Sequence, residues 1–304
     1  MLSVFTVGVY AAIILLSDTN TLYNKFANAK LDLILIALGL FSTGYFLRSF
    51  RWIAMIRCMK IKIPILKNII IYFTGYAFSL TPGKIGEGVR SKYLKDDFQV
   101  PITKSFPTVL SERYYDVIGV LAIIFVTSGL DTQNFIIYLS IALIVFFYFA
   151  VKKKNAEKLL LPLSKIKRIS GLCNGLIELI DTLEILLKPK IFFQVTILTI
   201  FSWAFEAIGA YFVFQSFGID LGVLKASFLY VTTSFIGAAS FLPGGVGGTE
   251  GSLLGLLLLE GFEYSDILGS VLVIRFFALW YVIMIGIAFT FIYKLNQRRA
   301  ERIG

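Results

Sequence analysis

Apolar residues run along this chain in long blocks separated by short polar stretches. The blocks predict six spans, over Leu2–Leu16, Leu31–Met55, Phe106–Ser128, Phe135–Val151, Ile191–Phe217 and Ile267–Tyr293. Two further blocks break before the ~20 residues that a bilayer-crossing helix needs. The first, Ile69–Thr81, stops at Pro82-Gly83 and is followed by a polar return to Lys95. The second, Ala226–Ala239, meets Phe241-Leu-Pro-Gly-Gly-Val-Gly-Gly-Thr-Glu-Gly251 and resumes over Ser252–Leu259. Pro243 removes a backbone donor, and the glycines around it permit a sharp reversal. Such backbone survives at membrane depth only when it is buried in protein or lines a wet cavity. Both blocks are therefore read as re-entrant hairpins. The expected fold class is an all-α integral membrane protein, with about six full spans plus two re-entrant helical hairpins.

The two breaks look like copies. Pro82, Gly83, Ile85 and Gly86 match Pro243, Gly244, Val246 and Gly247. Arg113-Tyr-Tyr-Asp-Val and Arg275-Phe-Phe-Ala-Leu follow them at nearly the same separation. Each half thus reads span, hairpin, arginine-bearing span. Basic clusters orient the halves: Arg48, Arg51, Arg57, Lys60 and Lys62 close the second span, Lys152 to Arg168 follow the fourth, and Lys294 to Arg302 follow the last. Placing all three in the cytoplasm puts both termini there too, and makes the second half an inverted copy of the first. Arg48 and Arg51 are read as interfacial anchors whose charged heads reach for water, with substrate contact as the alternative. The whole chain, 1–304, is one polytopic domain, with repeat one over about 31–129, a basic connector over about 152–190 and repeat two over about 191–293. Leu176, Ile180, Leu183 and Leu187 in the connector predict an amphipathic helix on the anionic inner leaflet.

Composition sharpens this picture. Hydrophobic residues make up 57% and charged residues 16%, and the mean hydropathy is +0.81, outside the range of soluble domains. The net charge of +10 sits beside the spans, so it calls for no nucleic-acid partner. The chain has no histidine, which removes the usual general base and the commonest metal ligand. No metal and no cofactor are expected. Cys58 and Cys173 both fall in basic segments and are read as free thiols. No nucleotide-binding P-loop is present to drive transport.

The candidate site gathers at the breaks. Lys84 and Arg90 near the first tip, with Arg113 and Arg275 from the following spans, are cations suited to a phosphate. Pro243, Gly244 and Gly247 shape the second tip, and the helix leaving each tip has free N–H groups at its start. Among the acids, Glu87 lies three residues from Arg90, which suits a simple pair. Glu112 and Asp116 flank Arg113 and suit an ion cluster as well as a proton relay. Glu250 sits in a helix first turn, where the dipole favours a carboxylate. Glu206, in mid-span, is either proton-coupled or paired across helices. Ionisable residues within a membrane commonly serve a pathway.

Pro-Gly-x-Ile-Gly-Glu-x-x-Arg at Pro82–Arg90, Glu-Arg-x-x-Asp at Glu112–Asp116 and Pro-Gly-Gly-Val-Gly-Gly-x-Glu at Pro243–Glu250 together resemble the membrane domain of lysylphosphatidylglycerol synthases. The resemblance implies a domain that moves lipids between leaflets, with membrane lipids, either phospholipid or polyprenyl-linked, as partners. Full synthases add a soluble transferase domain. None is expected here, so lysyl transfer is not implied. A membrane-embedded lipid-modifying enzyme and a non-transporting accessory subunit of a lipid synthase are the alternative readings. A homo-oligomer or a partner synthase stays open.

Overall fold

The computed structural model describes residues 19–128 and 170–303, with isolated positions between. The spans expected over Leu2–Leu16 and Phe135–Val151, and the basic start of the connector, lie outside the described residues. Every regular element among the described residues is helical. A short helix α1 (Thr19–Ala27) leads into α2 (Leu31–Cys58). The first broken block is α3 (Ile65–Thr74), tightened into a 3₁₀ turn over Gly75–Phe78, then a 3₁₀ stretch over Pro82–Gly88, then α4 (Val89–Phe98). After a single turn, α5 (Ile102–Ser105), comes α6 (Pro107–Ser128). The second half contains α7 (Ser170–Leu186), α8 (Pro189–Ser216), and a hairpin of α9 (Val223–Ala239) and α10 (Gly248–Leu259). It closes with a continuous rod, α11 (Tyr264–Arg275), a π-helical segment Phe276–Tyr281, and α12 (Val282–Ile303).

Three of these helices are long and apolar enough to cross a membrane: Leu31–Cys58, Pro189–Ser216 and the rod Tyr264–Arg298. At 28 residues, α2 and α8 each measure about 42 Å, longer than a ~30 Å hydrocarbon core. The helix α6 has 22 residues but carries Glu112, Arg113 and Asp116, and it falls outside that apolar class.

The interior is organised by α2 and α8, which run antiparallel over most of their length. The Lys30 N–H donates to the Ser216 carbonyl at 3.0 Å at one end of the pair. Further along, a Cβ on Gly44 would stand 2.8 Å from the Ser202 carbonyl, and Arg51 reaches Thr199. Only a missing side chain allows that approach at Gly44, the usual device of membrane helices, whose packing gains nothing from burying apolar surface away from lipid. Around this pair the halves exchange partners. The arginine-bearing helix α6 packs on α9, while the rod's α12 packs on α3. The two broken tips, Pro82–Gly88 and Pro243–Gly245, touch each other. Their contact is apolar, with Val246, Leu279 and Ile283 forming a small cluster against Leu80 and Trp280.

The C-terminal end of the connector packs into the protein. Leu183, Leu186 and Leu187 are buried within the protein, and the Tyr115 hydroxyl donates to the Leu186 carbonyl at 2.8 Å. This end of α7 packs on α6, while Leu176, nearer the helix start, is 37% exposed. The interfacial placement expected for Arg48 and Arg51 is overturned: they are 4% and 0% exposed. Trp52 to Ile56 continue the buried run beyond them, so neither arginine stands at a helix end. Their heads find carboxylates inside the protein instead of water.

Candidate functional site: an ion network behind two broken tips

Each tip reverses the chain with the same backbone geometry. Gly83 has φ 61°, ψ 12°, and Gly244 has φ 61°, ψ 11°. The residues before the prolines, Thr81 and Leu242, are both extended with ψ 146°. The next position is left-handed in both as well, Lys84 at φ 55° and Gly245 at φ 67°. For glycine that conformation is free, whereas for lysine it costs about 1–2 kcal/mol. The second tip approaches the first closely: a Cβ on Gly244 would lie 3.0 Å from Leu80 and 3.1 Å from Leu279.

The N–H groups after each tip are expected to await an incoming anion, yet at each tip one of them is taken from within the chain. In the first tip the Gly86 N–H donates to the Thr81 hydroxyl at 2.7 Å. In the second, the Gly247 N–H donates to Glu250 Oε2 at 2.9 Å. Glu250 Oε1 accepts from Arg275 Nε at 2.8 Å, and Arg275 Nη2 donates to the Gly244 carbonyl at 3.0 Å. Arg275 and Glu250 thus clamp both ends of the Pro243–Gly247 turn. A carboxylate fixed by the chain needs no ligand to satisfy the helix start.

Behind the first tip lies a larger network built from α2, α4, α6 and α8. Arg90 binds Glu112 with both nitrogens, at 3.1 and 2.6 Å, and Glu87 Oε2 at 3.2 Å. Its guanidinium lies 4.5 Å from the Trp52 ring centre and 5.0 Å from that of Tyr72. Arg51 donates to Asp116 Oδ1 at 2.6 Å and to the Thr199 hydroxyl at 3.2 Å. Arg48 stands 2.7 Å from Glu206 and stacks on Trp203 at 4.6 Å. The Tyr230 hydroxyl donates to the other Glu206 oxygen at 3.0 Å. Arg113 lies 3.5, 3.8 and 3.3 Å from Glu87, Glu112 and Asp116, and its side chain is 31% exposed. The Ser79 hydroxyl donates to Glu87 Oε1 at 2.9 Å.

The structure therefore brings Lys84, Glu87, Arg90, Glu112, Arg113, Asp116 and Glu206 into one neighbourhood, with Pro243, Gly244, Gly247, Glu250 and Arg275 forming the adjoining second tip. Arg90 and Arg275 are engaged by internal carboxylates; of the three arginines the sequence grouped together, Arg113 presents the open surface. Sequence reasoning missed Arg48 and Arg51 as members, along with the aromatic supports Trp52, Tyr72, Trp203 and Tyr230. Two arginines spaced three apart inside an apolar run were the available signal, since both fall on one helix face.

A simple count follows from these contacts. Arg48 pairs with Glu206, Arg51 with Asp116, Arg90 with Glu112, and Arg113 with Glu87. Lys84 makes no ion pair among the described residues, although it lies within electrostatic range of Glu87, Asp116, Glu206, Arg48 and Arg113. No group of three or more metal-ligating side chains occurs among the described residues.

Long apolar helices crossing around a buried ion network define a multi-pass helical membrane protein. The chain belongs to the family of the lysylphosphatidylglycerol synthase TM region, whose model matches residues 3–286. It is similar to a UPF0104 membrane protein of Methanothermobacter thermautotrophicus, at 25% identity over 95% of this chain and 93% of that one. It also resembles UPF0104 membrane proteins of Methanocaldococcus jannaschii (23% identity; 72% of this chain, 94% of the relative) and Pyrococcus horikoshii (25%; 85% and 86%).

Proposed function

We propose that this protein moves a lipid with an anionic head group from one leaflet to the other. The carrying observation is Lys84, a cation with no ion-pair partner among the described residues, at the tip where the two halves meet. At the bilayer centre a lysine costs about 2.5–3.5 kcal/mol on the insertion scale. Its left-handed backbone adds to that cost. Strain and uncompensated charge persist together where a site uses them. A phosphate-bearing head group would supply the missing charge.

The architecture we infer is an inverted repeat of span, re-entrant hairpin and arginine-bearing span. Matching backbone angles at the two tips, the antiparallel α2 and α8, and the exchange of hairpins between halves all support it. Equivalent helices must run oppositely under a two-fold axis in the membrane plane. The rocking of one half against the other would open the tip junction to each side in turn. In this reading both termini face the cytoplasm.

Cysteine labelling tests the topology. With Cys58 and Cys173 replaced, a cysteine at exposed Lys95 should react from the cytoplasmic side and one at exposed Glu263 from outside. Reaction of both from the same side would rule out the inverted arrangement. The function is tested with purified protein in liposomes carrying a fluorescent phospholipid in both leaflets and an impermeant quencher outside. Quenching beyond the outer-leaflet half, with the lipid chemically unchanged, is the expected result. A modified lipid would make the protein an enzyme, and quenching that stops at the outer leaflet would leave an accessory role.

A further inference from the structure

We infer that the site reads a single negative charge through Lys84, and so takes a lipid whose head group is a phosphodiester with an otherwise neutral substituent. The inference rests on the translocation reading above and names the substrate class of that same site. With every carboxylate ionised, four arginines and four carboxylates of the network match one to one, so that among the described residues the balance is neutral apart from Lys84. The residual charge is therefore one, carried by a flexible ammonium with three donors and no acceptor. A phosphodiester brings one negative charge and balances it. A phosphomonoester or diphosphate brings more, and the surplus would stand beside Glu87, Asp116 and Glu206 in a medium of low dielectric. A zwitterionic head brings a second cation toward Lys84 and Arg113.

Geometry separates Lys84 from the buried arginines, and charge separates it from Arg113, which is part exposed but already lies 3.3 to 3.8 Å from three carboxylates. The arginine heads Arg51 and Arg90 are fully buried and hold carboxylates at 2.6 Å. Lys84 is partly exposed, at the mouth of the network, on the tip that meets the other half. The equivalent position in the second tip is Gly245, in the same left-handed conformation but without a charge. Glycine satisfies the turn better than lysine does, so the turn itself gives no reason for a lysine. Breaking the symmetry at this one residue gives the site its sign.

The replacement Lys84→Gly puts at the first tip the residue that the second has there; it removes the side chain with its ammonium, and the backbone strain. The protein should fold as well as wild type, with an equal or higher Tm. Two readouts are measured side by side: exchange of labelled phosphatidylglycerol, phosphatidic acid at pH 8 and phosphatidylcholine in proteoliposomes, and binding of the same three probes in mixed micelles. Wild type should favour phosphatidylglycerol over each of the others by at least tenfold in both, and Lys84→Gly should abolish that preference. Equal handling of the three lipids by wild type, or an unchanged preference in Lys84→Gly, would overturn the inference while leaving translocation intact. Exchange of none of them would sink the translocation reading; the micelle binding then decides the charge preference alone, retained phosphatidylglycerol selectivity supporting it and its absence refuting it.

Discussion

Arg90→Met should destabilise the protein by about 3–5 kcal/mol, the cost of stranding a buried ionic partner. The arginine holds Glu112 through two hydrogen bonds and Glu87 through a third, and all three residues are at most 1% exposed. Without it, Glu112 retains only Arg51 at 4.0 Å and Arg113 at 3.8 Å. Lysine would restore the charge but neither the forked contact nor the stacking between Trp52 and Tyr72. The double variant Arg90→Met/Glu112→Gln removes a matched pair and should recover most of the loss, since a buried pair as a whole adds little net stability. Unfolding in mixed micelles, followed by tryptophan fluorescence, reads both effects. An Arg90→Met protein as stable as wild type would show that the network is not a matched one.

Arg275→Met should lower lipid exchange more than tenfold by freeing the second tip. In the structure the arginine holds the Gly244 carbonyl while its partner Glu250 holds the Gly247 N–H. Those two backbone bonds give the pair a polarity. The swapped variant Arg275→Glu/Glu250→Arg keeps the ion pair, yet a glutamate cannot donate to the Gly244 carbonyl and an arginine cannot accept from the Gly247 N–H. Exchange should therefore stay low in the swap even where stability returns. Full recovery of exchange would mean that charge pairing alone matters and that the tip needs no clamp.

How much of this was legible beforehand depends on how local each feature is. The broken blocks could be read because proline and glycine interrupt an apolar run at fixed positions, and the tips lie where Pro82-Gly83 and Pro243-Gly244 placed them. The Glu87–Arg90 pair, three residues apart on one turn, was equally readable. Glu250 in the first turn of α10 reads from sequence as a favourable carboxylate, but its hold on the Gly247 N–H depends on the turn geometry. The rest of the network joins residues distant in sequence, such as Arg51 and Asp116, 65 positions apart. Which face each helix turns inward decides those partners, and periodicity is weak in helices that are apolar almost all round. The same weakness hid Arg48 and Arg51, since a basic residue late in a span suits an interfacial anchor and a buried ion pair alike. Lys84 is visible as a cation near a tip; its left-handed backbone, and the lack of an ion-pair partner among the described residues, are not.

The most direct test of the account asks whether lipid passes where the tips meet. Leu80 and Val246 belong to the apolar contact between them. With the native cysteines replaced, Leu80→Cys/Val246→Cys protein is reconstituted and exchange of labelled phosphatidylglycerol is followed before and after a short, reducible thiol-bridging reagent. The account predicts arrest on bridging and return of the original rate when the bridge is reduced. Exchange that continues unchanged across a bridged junction would contradict it.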